Sequence, residues 1–357
     1  MKDRIFIIDG SSYLYRAFHA MPPLSTSSGK PTGAVKGVTN MLMNLKKDSE
    51  GSSIIVVFDA KGKTFRNDIY SDYKANRPPM PDELREQLEP VKSICKAIGF
   101  PLIEISGVEA DDVIATISRM AKEAKYKCVI SSLDKDLMQL VEDPHTTMMD
   151  TMKHKIFNEE GVFEKFGVKP NQIRDMLALV GDSSDNIPGI PKVGQKTAAK
   201  WLKEYGNLEG IKKNADSISG VVGENLRNNL DDLDRNVELV SLKNDVDINL
   251  EFSDLLNFVP DEEKLDKIFS ELEFKAADKN KEKERPKKDS NYEIVLDEKA
   301  LKNWAIKINK SKAFAIDTET DSVNTVSANL IGISLSVSEN EGCYIPIAHS
   351  YDGCPKQ

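Results

Sequence analysis

Residues 5–9 read Ile-Phe-Ile-Ile-Asp, and a similar figure returns at 54–59 as Ile-Ile-Val-Val-Phe-Asp. Each is a short β-branched or aromatic run closed by an aspartate. Runs of this length without polar alternation read as strands buried on both faces. Residues 102–105 (LIEI) lead through a glycine turn into Glu109-Ala-Asp111-Asp112, and 128–131 (CVIS) lead into Asp134-Lys135-Asp136. Helical patterns fill the intervals at 35–47, 82–98 and 110–124. Strands alternating with helices predict a parallel α/β sheet.

In an open parallel sheet the C-terminal ends of all strands share one edge, where ligands bind. Four strands therefore bring carboxylates together from distant parts of the chain. Glu109 and Asp112, three apart at a helix start, are expected to share a face, with Asp111 about 100° away. A second stretch, LVGDSSDNIPGIPKVGQKTA at 179–198, adds Asp182 and Asp185 and a glycine-punctuated turn between helices. Its amides, the helix start near Gly194, and Lys192, Lys196 and Lys200 suit a phosphate backbone. Arg66 and Tyr73-Lys74-Ala75-Asn76-Arg77-Pro78 set cations beside an aromatic ring. That could hold a phosphate and stack a base, although on its own it reads as a solvated basic loop. Arg16, seven residues after Asp9, either reaches the cleft or pairs with an acid.

Nine acids are candidates: Asp9, Asp59, Glu109, Asp111, Asp112, Asp134, Asp136, Asp182 and Asp185. Singly, each also reads as a turn former or helix cap. A lone Asp-x-Asp occurs in phosphatases and glycosyltransferases too. Together they cannot all stay ionised unaided, since two charges 4 Å apart cost about 4 kcal/mol at an effective dielectric near 20. Either their pKa values rise or a cation neutralises them. Oxygen-only ligands point to Mg²⁺ or Mn²⁺ rather than zinc, and two such ions suit phosphodiester cleavage.

The 357 residues, 39% hydrophobic and 30% charged, predict two or three domains with true cores. The net charge of −9 argues against a basic nucleic-acid coat or a polybasic membrane binder, but leaves room for local basic patches. The N-terminus lacks a secretory pattern, no run of 18 apolar residues occurs, and the four cysteines form no close pair. These features predict a cytoplasmic protein without a membrane span, zinc site or disulfide framework. Residues 148–157 suggest a hairpin and 165–274 a mainly helical block. The charged stretch 275–289 reads as an exposed linker. Beyond it, a helix is expected at 296–308 and strand-like runs at 313–316, 330–337 and 344–348.

These motifs, in this order, resemble the 5′-nuclease (flap endonuclease) family as it occurs at the N-terminus of the bacterial DNA polymerase I family. The matching strings are IIDGSSYLYRAFHAMPPL at 7–24, VFDAKGKTFRNDIYSDYKANRPPMPDEL at 57–84, GVEADDVIAT at 107–116, SSLDKDLMQL at 131–140 and LVGDSSDNIPGIPKVGQKTAAKWL at 179–202. FAIDTET at 314–320 and ISLSVSENEGCYIPIAH at 333–349 resemble the opening of a 3′–5′ exonuclease module.

The resemblance implies a PIN-like α/β catalytic domain at 1–165 and a helix–three-turn–helix DNA-binding subdomain at 166–274. A linker at 275–290 and a partial RNase H-like segment at 291–357 would follow. It implies that all nine acids serve two metal ions. Asp9, Asp59, Glu109, Asp111, Asp112 and Asp134 would be the inner ligands, with Asp136, Asp182 and Asp185 looser or outside them. Lys74 and Arg77 match the cations that grip the scissile phosphate, and Arg16 matches another active-site cation. Tyr73 matches a stacking position, with Arg66 counted among the DNA contacts. Gly189, Ile190, Lys192, Val193, Gly194, Lys196, Thr197 and Lys200 match the duplex-binding turn, where K⁺ can sit. Asp317 and Glu319 match the first acids of the 3′–5′ exonuclease, and 291–357 alone are expected to lack proofreading.

The implied activity is metal-dependent hydrolysis of DNA at a 5′ flap, nick or free 5′ end, leaving a 5′-phosphate and a 3′-hydroxyl. Its implied setting is RNA-primer removal and repair by a monomer at the bacterial nucleoid, with the polymerase module absent from this chain. Two other readings compete: a DNA-binding module that does not cleave, and a PIN-like ribonuclease. The acid set separates the first, because binding alone does not need it. The turn at 189–197 separates the second.

Overall fold

The computed structural model describes residues 3–49, 51–150, 155–256, 259–274, 291–322, 327–351 and 354. The expected linker at 275–290 lies outside them. The chain forms two compact units, Met1–Ala276 and Ala277–Gln357.

The first unit opens with β1 (Arg4–Asp9), α1 (Gly10–Ala20), α2 (Gly33–Asp48), β2 (Ser53–Val57), α3 (Phe65–Ile69), α4 (Asp82–Ile98), β3 (Leu102–Ile103), α5 (Ala110–Glu123) and β4 (Lys127–Ser131). β5 (Thr146–Asp150), β6 (Lys155–Phe157), α6 (Glu159–Phe166), α7 (Pro170–Val180), α8 (Gln195–Tyr205), α9 (Leu208–Lys213), α10 (Gly220–Asn228), α11 (Leu230–Val240) and α12 (Glu262–Glu271) complete it. The sheet order is β3-β2-β1-β4-β5-β6. All neighbours run parallel except β6, which closes the expected hairpin against β5.

The strand pattern explains the layers. Alternate residues of a strand face opposite sides of the sheet. Ile5, Ile7, Ile55, Val57 and Ile130 enter the core beneath α5 and α7. Phe6, Ile8, Ile54, Val56 and Val129 enter the core beneath α1, α2 and α4. With both faces covered, an unbroken apolar run is what each central strand requires. The strand expected at 102–105 is shorter than anticipated. β3 lies at the sheet edge and pairs only at Leu102 and Ile103 before the chain turns away towards Gly107, whose φ is +84°.

The expected boundary at 165/166 falls at the end of α6, and packing continues across it. Ile173, Leu177, Trp201, Leu233 and Leu239 of the helical region share one core with Ile5, Ile7 and Ile117. α12 instead packs on α4 and places Leu265 and Phe269 in the core on the opposite side of the sheet. The helical region thus contributes to the cores on both sides of the sheet.

Two glycines set the turn between α7 and α8. Gly181 has φ +76°, and a Cβ there would lie 2.3 Å from the Gly189 nitrogen. A Cβ on Gly189 would lie 2.0 Å from the Val180 carbonyl oxygen. Two backbone segments cross where no side chain fits. Gly189→Ala should therefore cost about 3 kcal/mol, read as a lowered denaturant midpoint at unchanged slope.

The second unit comprises β7 (Asn291–Ile294), α13 (Glu298–Lys310), β8 (Ala315–Thr320), β9 (Leu330–Ser338) and β10 (Glu341–Pro346). Its sheet order is β7-β10-β9-β8, with only β7 and β10 parallel. Trp304 of α13 is buried against Val295 and Cys343, and its indole N–H donates to Glu293 at 2.7 Å. β7 was not anticipated, because Asn291–Ile294 is exposed at every position and lacks a buried-strand pattern.

Candidate active site

The edge formed by the C-terminal ends of β1, β2 and β4 opens into a cleft of about 280 Å³. Asp9, Asp59, Glu109, Asp111, Asp134, Asp136, Asp182 and Asp185 line it, with Lys74, Arg77 and Lys135. Eight of the nine expected acids thus converge, six from the strand ends as the sheet topology required and Asp182 and Asp185 from the turn after α7.

Each acid is held by local chemistry. Asp9 caps α1, accepting from the Ser12 amide at 2.8 Å and from the Ser132 hydroxyl at 2.9 Å. Asp59 accepts from the Ala110 amide at 2.9 Å, which ties the end of β2 to the start of α5. Asp134 accepts from the Asp136 amide at 2.9 Å. Asp182 accepts from the Ser184 amide and hydroxyl at 2.9 and 2.6 Å, and pairs with Lys135 at 3.0 Å.

Asp112 departs from expectation. It is fully buried and faces away from the cleft. Its carboxylate accepts two hydrogen bonds from the Arg66 guanidinium, at 2.7 and 2.8 Å. It also accepts from the amides of Lys243 at 2.9 Å and Glu109 at 3.1 Å. Arg66, anticipated as a DNA contact, is equally buried and donates to the Leu239 and Ser241 carbonyls. These two residues form an internal ion pair joining α3, α5 and the end of α11, so neither is placed to hold a metal ion or DNA. Glu109 and Asp112 bond each other as the N-terminal cap of α5, and of the three acids Glu109 and Asp111 reach the cleft while Asp112 does not.

Two other expectations change. Tyr73 is 4% exposed, and its phenol lies 3.0 Å from both Glu109 and Asp185. Burial first, then those carboxylates, push its pKa up, so it remains a proton donor rather than a stacking surface. Arg16 lies over the Tyr13 ring at 5.6 Å and does not line the cleft.

Lys74 and Arg77 do face the acids. Lys74 reaches Glu109 at 2.7 Å and Asp185 at 3.7 Å, and Arg77 pairs with Asp185. Burial works against the Lys74 charge, but Glu109 and Asp185 outweigh it and hold its pKa above the ordinary lysine value. Lys135, Ser184 and the exposed Tyr15 also line the cleft, although the sequence reading gave them no role. Their signal lay inside the quoted strings, in the residue between Asp134 and Asp136, in the one before Asp185, and in the aromatic beside Arg16.

The electrostatics favour a cation. Burial, followed by the neighbouring carboxylates, pushes Asp136 up to about 8. Burial likewise pushes Asp9 up to about 6, against the opposing bonds from Ser12 and Ser132. Asp111 is raised by burial and by Asp134, Asp9, Asp59 and Asp136. Asp182 moves the other way: burial would raise it, but Ser184 and Lys135 outweigh burial and lower it.

Among the described residues, Asp136, Asp182 and Asp185 each offer an oxygen within 4.8 Å of the others. One Asp136 carboxylate oxygen is buried without a hydrogen-bond partner. A hard divalent cation fits this all-oxygen set and supplies the missing partner. The tight cluster therefore falls on the three acids expected to be looser or outside the inner set.

The linkage has a definite sign. A carboxyl with a raised pKa holds its proton more tightly in the folded chain, so ionising it there costs stability as pH rises towards the folded value. A cation must displace that proton. Divalent-cation affinity should therefore climb as pH rises through about 6 and then about 8. The gain should approach about tenfold per pH unit for each proton displaced. Calorimetric titration at several pH values checks both the affinity and the proton release.

Asp317 and Glu319 stand exposed on β8 of the second unit, and among the described residues no third acid joins them in a metal-binding group. In the helical region, Ile190 and Val193 are buried, whereas Lys192, Lys196 and Lys200 are exposed. Gly194 caps α8 in open space, and Thr197 begins the amide-to-carbonyl ladder of that helix. No helix among the described residues is long and apolar enough to cross a membrane.

Comparison with known proteins agrees with this geometry. Residues 4–167 match the 5′–3′ exonuclease N-terminal resolvase-like domain, and 168–264 match the 5′–3′ exonuclease C-terminal SAM fold. Residues 292–353 match a 3′–5′ exonuclease domain. The chain is 45% identical to the DNA polymerase I of Pseudomonas aeruginosa over 99% of its own length, but spans only 41% of that protein. It is 45% identical to a 5′–3′ exonuclease of Aquifex aeolicus, covering 78% of this chain and 95% of the relative. The solved structure of the phage T5 5′-exonuclease with bound zinc aligns with a TM-score of 0.58 at 25% identity, over 75% of this chain and 98% of the other. With an acid-lined cleft at the edge of a PIN-like sheet and near-complete coverage of the Aquifex enzyme, the chain belongs to the 5′–3′ exonuclease family.

Proposed function

We propose that residues 1–274 act as a structure-specific 5′ nuclease on DNA carrying a 5′ flap, nick or free 5′ end. The observation that carries this reading is the cleft itself, with eight carboxylates and three cations at one sheet edge. In this reading Asp136, Asp182 and Asp185 hold one Mg²⁺ or Mn²⁺ ion. Asp9, Asp59, Asp111 and Asp134, with Glu109, complete the environment of a second. Bound there, divalent ions supply a nucleophilic water and neutralise the leaving oxygen.

The protein's own groups do the rest. Lys74 and Arg77 exchange Glu109 and Asp185 for the scissile phosphate and stabilise the charge that builds on it. Tyr73 keeps Glu109 and Asp185 aligned through its phenol. Lys192, Lys196, Lys200 and the amides at the start of α8 hold the duplex backbone. K⁺ at the turn 189–197 rests on the family resemblance alone. The domain limits at 1–165, 166–274 and 291–357, action as a monomer in the cytoplasm at the nucleoid, and a role in primer removal and repair belong to the same proposal.

Lys74→Ala tests it. On end-labelled 5′-flap DNA, single-turnover cleavage should fall about a hundredfold with affinity changed by less than about threefold. Equal losses in both would reduce Lys74 to a binding contact. Preference for single-stranded RNA over flap DNA would favour the ribonuclease reading.

A further inference from the structure

Lys74 and Arg77 sit on a loop that is fastened to the turn after α7 by a reciprocal pair of asparagines. Asn76 Nδ2 donates to the Ser183 carbonyl at 2.7 Å, and Asn186 Nδ2 donates to the Asp72 carbonyl at 2.7 Å. Between them the Lys74 amide donates to the Asp185 carbonyl at 2.9 Å, and Arg77 Nε donates to the Ser184 carbonyl at 3.1 Å. Two irregular segments, 72–77 and 183–186, thus exchange four hydrogen bonds onto backbone carbonyls although more than 100 residues apart.

Each segment contains one non-glycine residue in left-handed backbone, Lys74 at φ +56° and Asn186 at φ +57°. Such a conformation persists in a non-glycine residue when its surroundings fix it. Here it turns the Lys74 side chain towards Glu109 and Asp185.

We propose that Asn76 and Asn186 are positioning residues. They latch the basic loop onto the acidic turn, so that the Lys74 and Arg77 cations stand opposite Asp185. The function of the latch rests on the nuclease reading above; its existence does not. Neither asparagine lines the cleft, and neither side chain touches the acids. Their effect passes through the backbone carbonyls they hold. The latch also links the sheet region to the helical region beside the cleft to which both contribute.

The test uses Asn76→Ala and Asn186→Gly in the full chain. Asn76 is exposed, so its truncation leaves the core intact. Glycine accepts the left-handed backbone of residue 186, so that change removes the donor without adding strain. In metal-free protein, tryptic nicking at the Lys74–Ala75 bond should accelerate about three- to tenfold in each variant, the loss of one net hydrogen bond. Single-turnover cleavage of 5′-flap DNA should slow by a similar factor, with flap affinity in Ca²⁺ within about twofold of the parent.

Nicking at the parental rate in both variants would overturn the latch. So would a loss of affinity equal to the loss of rate, because a positioning role acts on turnover. If the parent itself fails to cleave flap DNA, the nuclease reading falls, and the nicking comparison still decides whether the latch exists.

Discussion

Asp136→Asn should leave the chain folded and nearly inert: single-turnover flap cleavage falls at least about a hundredfold while DNA affinity holds or rises. The substitution keeps the side-chain shape and removes only the charge. One oxygen of this carboxylate has no partner within the protein, and burial with Asp134, Asp182 and Asp185 pushes its pKa up to about 8. The site therefore strains to ionise Asp136 in the absence of a cation. Removing that charge should change metal-free thermal stability little below about pH 4, raise it progressively as pH climbs from there to about 8, and hold the full gain above that. A structural residue would show the opposite, with stability lost at every pH.

Asp112→Ala should have a large effect of a different kind. It leaves the buried Arg66 guanidinium without its carboxylate partner, and breaking such a pair costs about 3–5 kcal/mol. It also removes the acceptor for the Lys243 and Glu109 amides. The melting temperature should fall by about 10 °C, and cleavage by the fraction still folded should fall less than in Asp136→Asn. An Asp112 variant with parental stability and no activity would return this residue to the metal-binding set.

Asp111 and Asp112 show where the sequence stops being informative. Both are aspartates at the start of one helix, and both match the same family pattern. The assignment of Asp112 to the metal set rested on the family resemblance, with helix phase placing it on one face with Glu109. What decides its role is Arg66, 46 residues earlier, with carbonyls at Leu239 and Ser241. No local pattern encodes a partner brought in by tertiary packing. Tyr73 fails for the same reason: an aromatic between basic residues suggests stacking, and only the fold shows its hydroxyl wedged between Glu109 and Asp185.

The sheet was far more legible. A parallel strand covered on both faces must be apolar throughout, and 5–8, 54–58 and 128–131 carry that signature without help from distant residues. Helix 82–98 matches α4 at both ends, because its acidic first turn and the glycine after Ile98 mark the limits locally. The edge strands were less legible: β3 is two residues long and β7 is fully exposed. The turn at 181–189 was legible as a glycine turn, while the backbone crossing that forbids any Cβ there emerges only in three dimensions.

In the proposed function this acid-lined cleft cuts DNA at a 5′ flap using divalent cations. Product mapping on 5′-flap DNA labelled at either end, with parent and Asp136→Asn compared in Mg²⁺ and in EDTA, decides it. The expected result is incision near the flap base by the parent in Mg²⁺ alone, yielding a 5′-phosphate and a 3′-hydroxyl, with the variant inactive. Incision that persists in EDTA, or that survives in Asp136→Asn at the parental rate, would contradict the account.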